Sequence, residues 1–493
     1  MEHTHVADRD PAPVHQHWLS HNRLLTANGV FAVYAIILAV DTGQADRAWA
    51  IWAAAGYGVT TLLLWLTRHR SMPLIVPLLV SLAGALAAPV TWLITRVQPT
   101  AEVKVISQAA VLLLQHGSPY LPQGQLNGWQ SYNPYQPVMA IFGLPRALGA
   151  NGLLGDPRVW LTAVSLALIC AAFGIAAPHR HCDACRRNIV LSTVFVAASP
   201  VIAFPLAVGI TDPPILALMF LTLALIARPS GVFRAAIALG VACAMKATAW
   251  PAVAVLTTMV GARETARSAW RFLGIVVALA VGLSVVMAPA VLSDPYALLQ
   301  NTVLFPLGLT KHKTPAASPL PGHLLASTGM AGHWAAVALL VAAAVALAAW
   351  LILRPPADVR AAAWRLAIGL TVMFTLAPAT RWGYFVYPIG LIGWLALTKQ
   401  GSVPQDDRDS GEPVLSPSTA AVTPAGVGAV PAEPVPAGAG AGARAMVAAG
   451  FRSRTSAASW SGWSAAWIKA TGPRAAGLRV YEPRPAGLLR PPV

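Results

Sequence analysis

The sequence predicts an all-α, polytopic membrane protein with about 12 transmembrane helices. Of its 493 residues, 56% are hydrophobic and 11% are charged, and the mean hydropathy is +0.61. Charged side chains cover a water-exposed surface, so this small share excludes an ordinary soluble protein. Apolar runs of about 20 residues, enough to cross a hydrocarbon core of ~30 Å, recur along the first 400 positions.

Three segments differ in composition. Residues 1–23 are polar and lack the pattern of a cleaved signal peptide, so the first helix is predicted to be retained. Residues 24–399 form the predicted transmembrane domain. Residues 400–493 are rich in Pro, Ala and Gly, which predicts a disordered cytoplasmic tail. The predicted spans are 24–40, 49–66, 73–95, 158–177, 189–208, 211–227, 235–246, 247–260, 272–291, 332–353, 362–378 and 384–398.

The distribution of basic residues predicts the orientation. The formal net charge is +16, and most arginines stand in short loops that the positive-inside rule assigns to the cytoplasm. The longer loops 96–157 and 292–331, with the short 379–383, are less basic and are predicted to face outward. This gives a multi-pass plasma-membrane protein with both termini cytoplasmic, and it accounts for the charge without nucleic-acid binding.

One stretch constrains the topology. Arg234 and Arg263 are both predicted to be cytoplasmic, although only 28 residues separate them. Two short helices that turn at Lys246 satisfy this, because short helices are tolerated where other helices shield them. A single kinked helix, which would put the two arginines on opposite sides, is the alternative. In the hairpin, Lys246 faces outward.

The sequence predicts no metal site and no cofactor. His179, His181, Cys182 and Cys185 crowd into seven residues, without the long spacer of structural zinc sites. The sequence contains no Walker A pattern and no GxGxxG that precedes a helix. Direct use of a cytosolic nucleotide is therefore not expected.

The first outward loop begins with an amphipathic helix predicted over 102–115, lying along the membrane surface. Glu102 starts this helix where the third span leaves the membrane. Its carboxylate suits a general base, or it complements the helix dipole without touching a substrate. The apolar face is predicted from Val103, Ile106, Ala110, Leu113 and Leu114.

Other outward segments hold candidate binding residues. Asp212 in GITDPP stands where a span starts, so it either binds a substrate hydroxyl or caps the helix, with proline next to it. Lys311, His312 and Lys313 form a cationic cluster that suits a phosphate or anionic lipid headgroups. Arg381 faces outward at another helix start, beside aromatic residues.

Three stretches carry a family resemblance. They are EVKVISQAAVLLLQHGSPYLP, YNPYQPVMAIFGLP, and GITDPPILALMFLTLALIA followed by ALGVACAMKATAWP. Their order and spacing over about residues 85–395 resemble glycosyltransferase family 87, GT-C-type membrane mannosyltransferases that use polyprenyl-phosphate sugars. Two positions depart from the family pattern. Glu102 stands in place of an Asp, and residues 133–137 (NPYQP) replace a Tyr-Pro-Pro run.

The resemblance implies an inverting transferase. It would move a hexose, in the first place mannose, from a polyprenyl-phosphate donor to an envelope glycan or glycolipid at the extracytoplasmic face, surrounded by membrane lipid. Glu102 would take the proton of the acceptor hydroxyl. Lys246, Lys311, Lys313 and Arg381 would bind the leaving phosphate. The remaining expected substrate contacts are Tyr132, Tyr135, Asp212 and His312.

Two other function classes stay open on the sequence. A lipid-linked glycan transporter should carry ionisable groups near the bilayer midplane and internal repeats, and neither is evident in the sequence. A non-catalytic scaffold could recruit partners through the tail. The gathering of polar residues in outward loops favours the enzyme, and loss of activity in Glu102→Gln with normal folding would separate it from both.

Overall fold

The structure, a computed structural model, describes residues 19–40, 43–70, 72–177 and 183–398. The chain divides into two units, Met1–Asp407 and Arg408–Val493. The second unit and the whole predicted tail, residues 400–493, lie outside the described residues, as do His179, His181 and Cys182. Within the described ranges, no group of three His, Cys, Asp or Glu side chains could hold a metal ion.

The described chain is built from helices. Short 3₁₀ and π segments interrupt the long loops, and no β-strand longer than a single bridge occurs in the described part. The main helices are α1 (His21–Val40), α2 (Gln44–Leu66), α3 (Ile75–Arg96), α4 (Ala101–His116), α5 (Pro157–Ala176), α6 (Asp183–Ala198), α7 (Pro200–Val208), α8 (Asp212–Ile226), α9 (Val232–Met245), α10 (Trp250–Arg263), α11 (Ala266–Met287), α12 (Met330–Leu353), α13 (Val359–Leu376) and α14 (Val386–Leu397).

Seven of the described helices are long and apolar enough to cross a membrane: α1, α2, α3, α5, α11, α12 and α13. An eighth candidate span is the pair α6 and α7, bent by 57°. The bend occurs where Pro200 begins α7, because proline lacks the N–H that would continue the helix. An all-helical membrane architecture is therefore confirmed for the described residues.

The other four predicted spans are helical but short. α8, α9, α10 and α14 have 12 to 15 residues, and at about 1.5 Å per residue none crosses ~30 Å alone. α8 is apolar on every side and almost wholly buried, as expected of a helix that neighbouring helices shield. The twelve predicted spans thus correspond to seven full-length helices, one bent pair and four short helices.

Packing against α11 indicates how α9 and α10 are arranged. Gly240 in α9 lies against Val276 and Leu279, and Gly261 in α10 lies against Ala269. In one straight helix the two glycines would be about 30 Å apart, whereas their contacts on α11 are only ~10–15 Å apart. This difference favours the predicted reversal between α9 and α10 over a continuous helix.

Close backbone approach fixes α4, whose helix over Ala101–His116 confirms the helix predicted over 102–115. Gly143 packs so tightly on α4 that an added Cβ would lie 2.4 Å from the carbonyl oxygen of Ile106. Gly209, after α7, has φ +89°, and a Cβ there would lie 2.2 Å from Val103. Leu114, on the predicted apolar face, is 52% exposed. The buried residues are Val103, Ile106, Ala109, Ala110 and Leu113.

Candidate active site

Glu102 stands in the first turn of α4. The start of this helix is anchored by Thr100, whose Oγ1 donates to the carbonyl oxygen of Val208 at 2.9 Å. Glu102 Oε1 accepts a hydrogen bond from Arg381 Nη1 at 3.0 Å. Its Oε2 is buried and has no hydrogen-bond partner among the described residues. The carboxylate therefore presents one paired oxygen and one unpaired oxygen.

An isolated parallel bridge between two loops places Arg381. Ala317 pairs with Thr380, and Ser318 N donates to the carbonyl oxygen of Thr380 at 3.0 Å. On the other side, the N–H of Trp382 donates to Ser318 Oγ at 3.1 Å. The backbone of Arg381 is thus held on both sides, although its side chain remains 39% exposed.

Lys246 stands in the turn after α9. Its Nζ donates to Asp212 Oδ1 at 2.5 Å and to Thr211 Oγ1 at 3.1 Å. It also lies 5.5 Å from the ring centroid of Tyr135 and 5.6 Å from that of Tyr384, within cation–π range. The ammonium group is therefore held by one anion, one hydroxyl and two aromatic faces.

The surroundings of Lys246 and Tyr135 shift the pKa of both side chains. Burial lowers the pKa of Lys246, but the negative charges of Asp212 and Glu102 and the nearby Tyr384 outweigh it, and the net pKa is raised. Burial, and after it the charge of Glu102, raises the pKa of the Tyr135 phenol well above its ordinary value. Lys246 therefore stays an ammonium and Tyr135 stays neutral near neutral pH.

The loop that carries Tyr135 is fixed by hydrogen bonds to other elements. The N–H of Asn133 donates to Asn301 Oδ1 at 2.8 Å, and Gln136 N donates to the carbonyl oxygen of Met245 at 3.1 Å. Tyr120 Oη donates to the carbonyl oxygen of Tyr135 at 2.9 Å. The proline-rich loop is thus tied directly to the end of α9, next to Lys246.

One cavity of about 360 Å³ collects most of the predicted site residues. Its lining includes Glu102, Tyr132, Tyr135, Lys246 and Arg381. Much of the remaining wall is apolar and includes Val105, Leu340, Met373, Phe374 and Ala377. The charged groups on this wall are one carboxylate and two cations, an arrangement suited to a phosphorylated substrate beside a basic group.

Asp212 does not line this cavity. It is 1% exposed, and its Oδ1 accepts from Lys246 and, at 2.7 Å, from Tyr387 Oη. No side-chain capping hydrogen bond forms at the Thr211 cap where α8 begins. Asp212 is therefore not the helix cap but pairs with Lys246, and its contact with a substrate hydroxyl stays a prediction.

The cationic cluster lies apart from the cavity wall. Lys311 and Lys313 are exposed, and the ring of His312 meets the edge of Tyr132, with 6.4 Å between centroids. Residues on both flanks of the cluster, at 305–307 and 314–316, line the cavity. The cluster is therefore the tip of a loop whose two ends belong to the site.

The sequence reasoning missed three polar neighbours of Lys246. Tyr384 lines the cavity, Tyr387 binds Asp212, and Thr248 Oγ1 lies 2.8 Å from Tyr387 Oη. A signal was present in RWGYFVYP, where two tyrosines three positions apart follow Arg381. Residues at this spacing share one face of a helix start.

Comparison with known proteins gives one match. Residues 133–378 match the model of glycosyltransferase family 87. No curated protein and no solved structure shows a significant match to the chain. The matched range includes Tyr135, Asp212, Lys246 and the cluster at 311–313, whereas Glu102 and Arg381 lie outside it.

Proposed function

The chain belongs to glycosyltransferase family 87, and from this membership we propose that it transfers a hexose, in the first place mannose, from a polyprenyl-phosphate donor to an envelope glycan or glycolipid with inversion. The carboxylate of Glu102 is the observation that carries the proposal. One oxygen pairs with Arg381, and the other is buried without a partner in the described part of the chain. Such an oxygen is suited to accept the proton of a hydroxyl.

The two cations suit the phosphate of the donor. Lys246 and Arg381 line the same cavity as Glu102, and Lys246 keeps one ammonium hydrogen beyond the two used by Thr211 and Asp212. Hydrogen bonds from charged donors to phosphate are about twice as strong as neutral ones. Both cations would therefore stabilise the negative charge that develops as the phosphate departs.

An adjoining apolar cavity supports a lipid-linked donor. It has a volume of about 230 Å³ and lies between α10, α12 and α13. Leu340 and Met373 line both this cavity and the site cavity, so an apolar path continues from the phosphate-binding groups. Its wall includes Ala344, Leu347 and Gly369. An isoprenoid chain attached to a bound phosphate would find apolar contacts along this path.

The proposed reaction needs one base. The bond between the anomeric carbon and the phosphate oxygen breaks, and polyprenyl phosphate leaves with the electron pair. The acceptor oxygen bonds to the anomeric carbon from the opposite face, while Glu102 takes the proton of that hydroxyl. The transition state has oxocarbenium character, as in glycosyl transfer generally. Since phosphate leaves as a stabilised anion, no general acid is required.

The position of the site relative to the basic loops supports an extracytoplasmic reaction. Asp212 begins α8, and Arg228 follows the other end of that helix. Lys246 follows α9, and Arg234 lies near the other end of it. The site thus stands at the helix ends remote from arginines that the positive-inside rule assigns to the cytoplasm.

The test is transfer by the purified full-length protein in lipid nanodiscs. Polyprenyl-phosphate hexoses, labelled in the sugar, are offered beside the matching nucleotide sugars, with envelope lipid extract as acceptor. We expect transfer from a polyprenyl-phosphate hexose, none from nucleotide sugars, and a product of inverted anomeric configuration. Transfer from nucleotide sugars alone, or retention of configuration, would contradict the proposal. The family membership already favours an enzyme over a transporter or a scaffold.

A further inference from the structure

We infer that Asp212 and Tyr387 are positioning residues for Lys246, and that neither binds substrate. The inference rests on the proposed function in one respect, since it takes Lys246 as a ligand of the donor phosphate. It does not depend on which sugar or acceptor is used. Nothing in the local sequence of α8 or α14 assigns this role to either residue.

A chain of hydrogen bonds leads from α14 to the cavity. Tyr387 Oη donates to Asp212 Oδ1 at 2.7 Å, and the same oxygen accepts from Lys246 Nζ at 2.5 Å. Because the Tyr387 proton is engaged by the carboxylate, Thr248 Oγ1 donates to Tyr387 Oη, at 2.8 Å. Asp212 is thus held between a phenol on one side and the ammonium on the other.

Asp212 and Tyr387 are buried behind the residues that line the cavity. Lys246 and Tyr384 line the cavity, whereas Asp212 and Tyr387 do not. Asp212 is 1% exposed and Tyr387 is 0% exposed, so a substrate that fills the cavity would meet the ammonium and not the carboxylate. Their contribution to a reaction would therefore pass through Lys246.

Asp212 also determines the charge of Lys246, and Tyr387 helps to fix the direction of Lys246 through its hydrogen bond to Asp212. A buried ammonium without an opposite charge would lose its proton or turn away to water. The groups that face it are Asp212 from α8, Tyr135 from the proline-rich loop, Tyr384 before α14 and Glu102 from α4. Arg381 lines the same cavity, and Tyr387 within α14 lies behind Asp212. Asp212 is the carboxylate that contacts Nζ directly, so it has the largest effect in favour of the ammonium.

The experiment measures the titration of Lys246 directly. The full-length protein in detergent is reductively methylated with formaldehyde between neutral and alkaline pH, and the extent at each lysine is read by mass spectrometry. Exposed Lys104 serves as the internal reference. We expect Lys246 of Asp212→Asn to become reactive at a pH lower than in wild type by about one unit or more. We expect Tyr387→Phe to keep the wild-type profile, because the carboxylate remains, and to lose about tenfold in kcat/KM for the donor.

The matched control is Asp156→Asn. It breaks another buried ion pair, in which Arg158 Nη2 lies 2.8 Å from Asp156 Oδ2 and neither residue lines the cavity. A Lys246 profile that stays unchanged in Asp212→Asn, or that shifts equally in Asp156→Asn, would overturn the inference. Undiminished kcat/KM in Tyr387→Phe would overturn the role of Tyr387, even if Asp212→Asn fails to fold. A shifted profile in a protein that transfers no sugar would overturn the proposed function alone.

Discussion

Glu102 and Arg381, 279 residues apart in the sequence, form an ion pair of 3.0 Å at the site cavity. Their side chains are 20% and 39% exposed, and pairs open to solvent contribute about 1 kcal/mol or less to stability. The pair is therefore of more interest for binding than for folding. A donor phosphate would compete with Glu102 for Arg381, and the exchange would free the carboxylate for the acceptor hydroxyl.

The first prediction separates binding from stability at Arg381. Arg381→Ala should leave the melting temperature nearly unchanged, because the pair it breaks is partly exposed. The donor KM should rise about tenfold or more, since a charged hydrogen bond to phosphate is lost. Steady-state kinetics with a purified polyprenyl-phosphate hexose, beside a thermal melt in the same detergent, measures both. Arg146→Ala, an exposed arginine away from the cavity lining, is the control, and an equal KM rise there would count against a phosphate contact.

The second prediction concerns the base. Glu102→Gln keeps the shape of the side chain but cannot take a proton, and a positioned base contributes ~10²–10⁴-fold in rate. We expect kcat to fall by that order while the donor KM does not rise, because loss of the carboxylate leaves Arg381 free for the phosphate. Initial rates over a range of donor concentrations up to saturation measure both quantities.

The control for this prediction is Glu264→Gln, which changes an exposed glutamate just after α10. It should behave as wild type. No other acidic residue lines the cavity among the described residues, and Asp294 is engaged as a helix cap, accepting from the N–H of Ala297 at 3.0 Å. Near-wild-type turnover by Glu102→Gln would therefore contradict the one-base mechanism, because no neighbouring carboxylate could take over as the base.

Much of the fold could be predicted because the hydropathy of a segment and the positions of its prolines determine locally where helices form and end. Each long apolar run became a helix, and the amphipathic pattern after Glu102 became α4. The lengths of the short helices could not be predicted, since whether α8 is shielded depends on packing by distant parts of the chain. Which residues of the apolar face of α4 are buried could not be predicted either, because the width of a buried face depends on what packs there; Leu114, on that face, is 52% exposed.

The sequence allowed the charged residues of the site to be predicted, but not the contacts that they make with one another. Glu102, Lys246 and Arg381 were chosen from charge in outward segments, and they line one cavity. The role of Asp212 was predicted from its position at the start of a helix. In the structure its ion pair with Lys246 joins the beginning of α8 to the end of α9. Tyr387 contacts Asp212 across 175 residues. Such contacts arise from helix packing, which no local pattern encodes.

The third prediction tests the apolar cavity beside the site. Gly369 lines it, and an added Cβ there would meet open space. Gly369→Leu should fill part of the cavity without destabilising α13, because leucine favours a helix by about 1 kcal/mol over glycine. We expect the KM for a long-chain polyprenyl-phosphate hexose to rise severalfold, while that for a short isoprenyl analogue changes little.

Gly274→Leu is the matched control for this variant. Gly274 lies within α11, also has open space around a Cβ, and does not line either cavity. It should raise neither KM. Equal effects of Gly369→Leu on the long and the short donor would indicate a general distortion of α13 and would argue against a lipid path.

The last prediction concerns Lys311 and Lys313. Both are exposed at the tip of a loop whose flanks line the cavity, so water and ions surround their charges. We expect Lys311→Glu and Lys313→Glu to lower kcat/KM severalfold at low salt, because exposed cations attract an anionic donor over a screening distance of about 10 Å at 0.1 M salt. The effect should disappear near 1 M salt, where that distance falls to about 3 Å. The measurement belongs in neutral detergent, which removes the surface potential of the bilayer. Lys104→Glu, which changes an exposed lysine on α4, is the control and should change kcat/KM less. A loss that persists at high salt would instead place these lysines in direct contact with the phosphate, as the sequence first suggested.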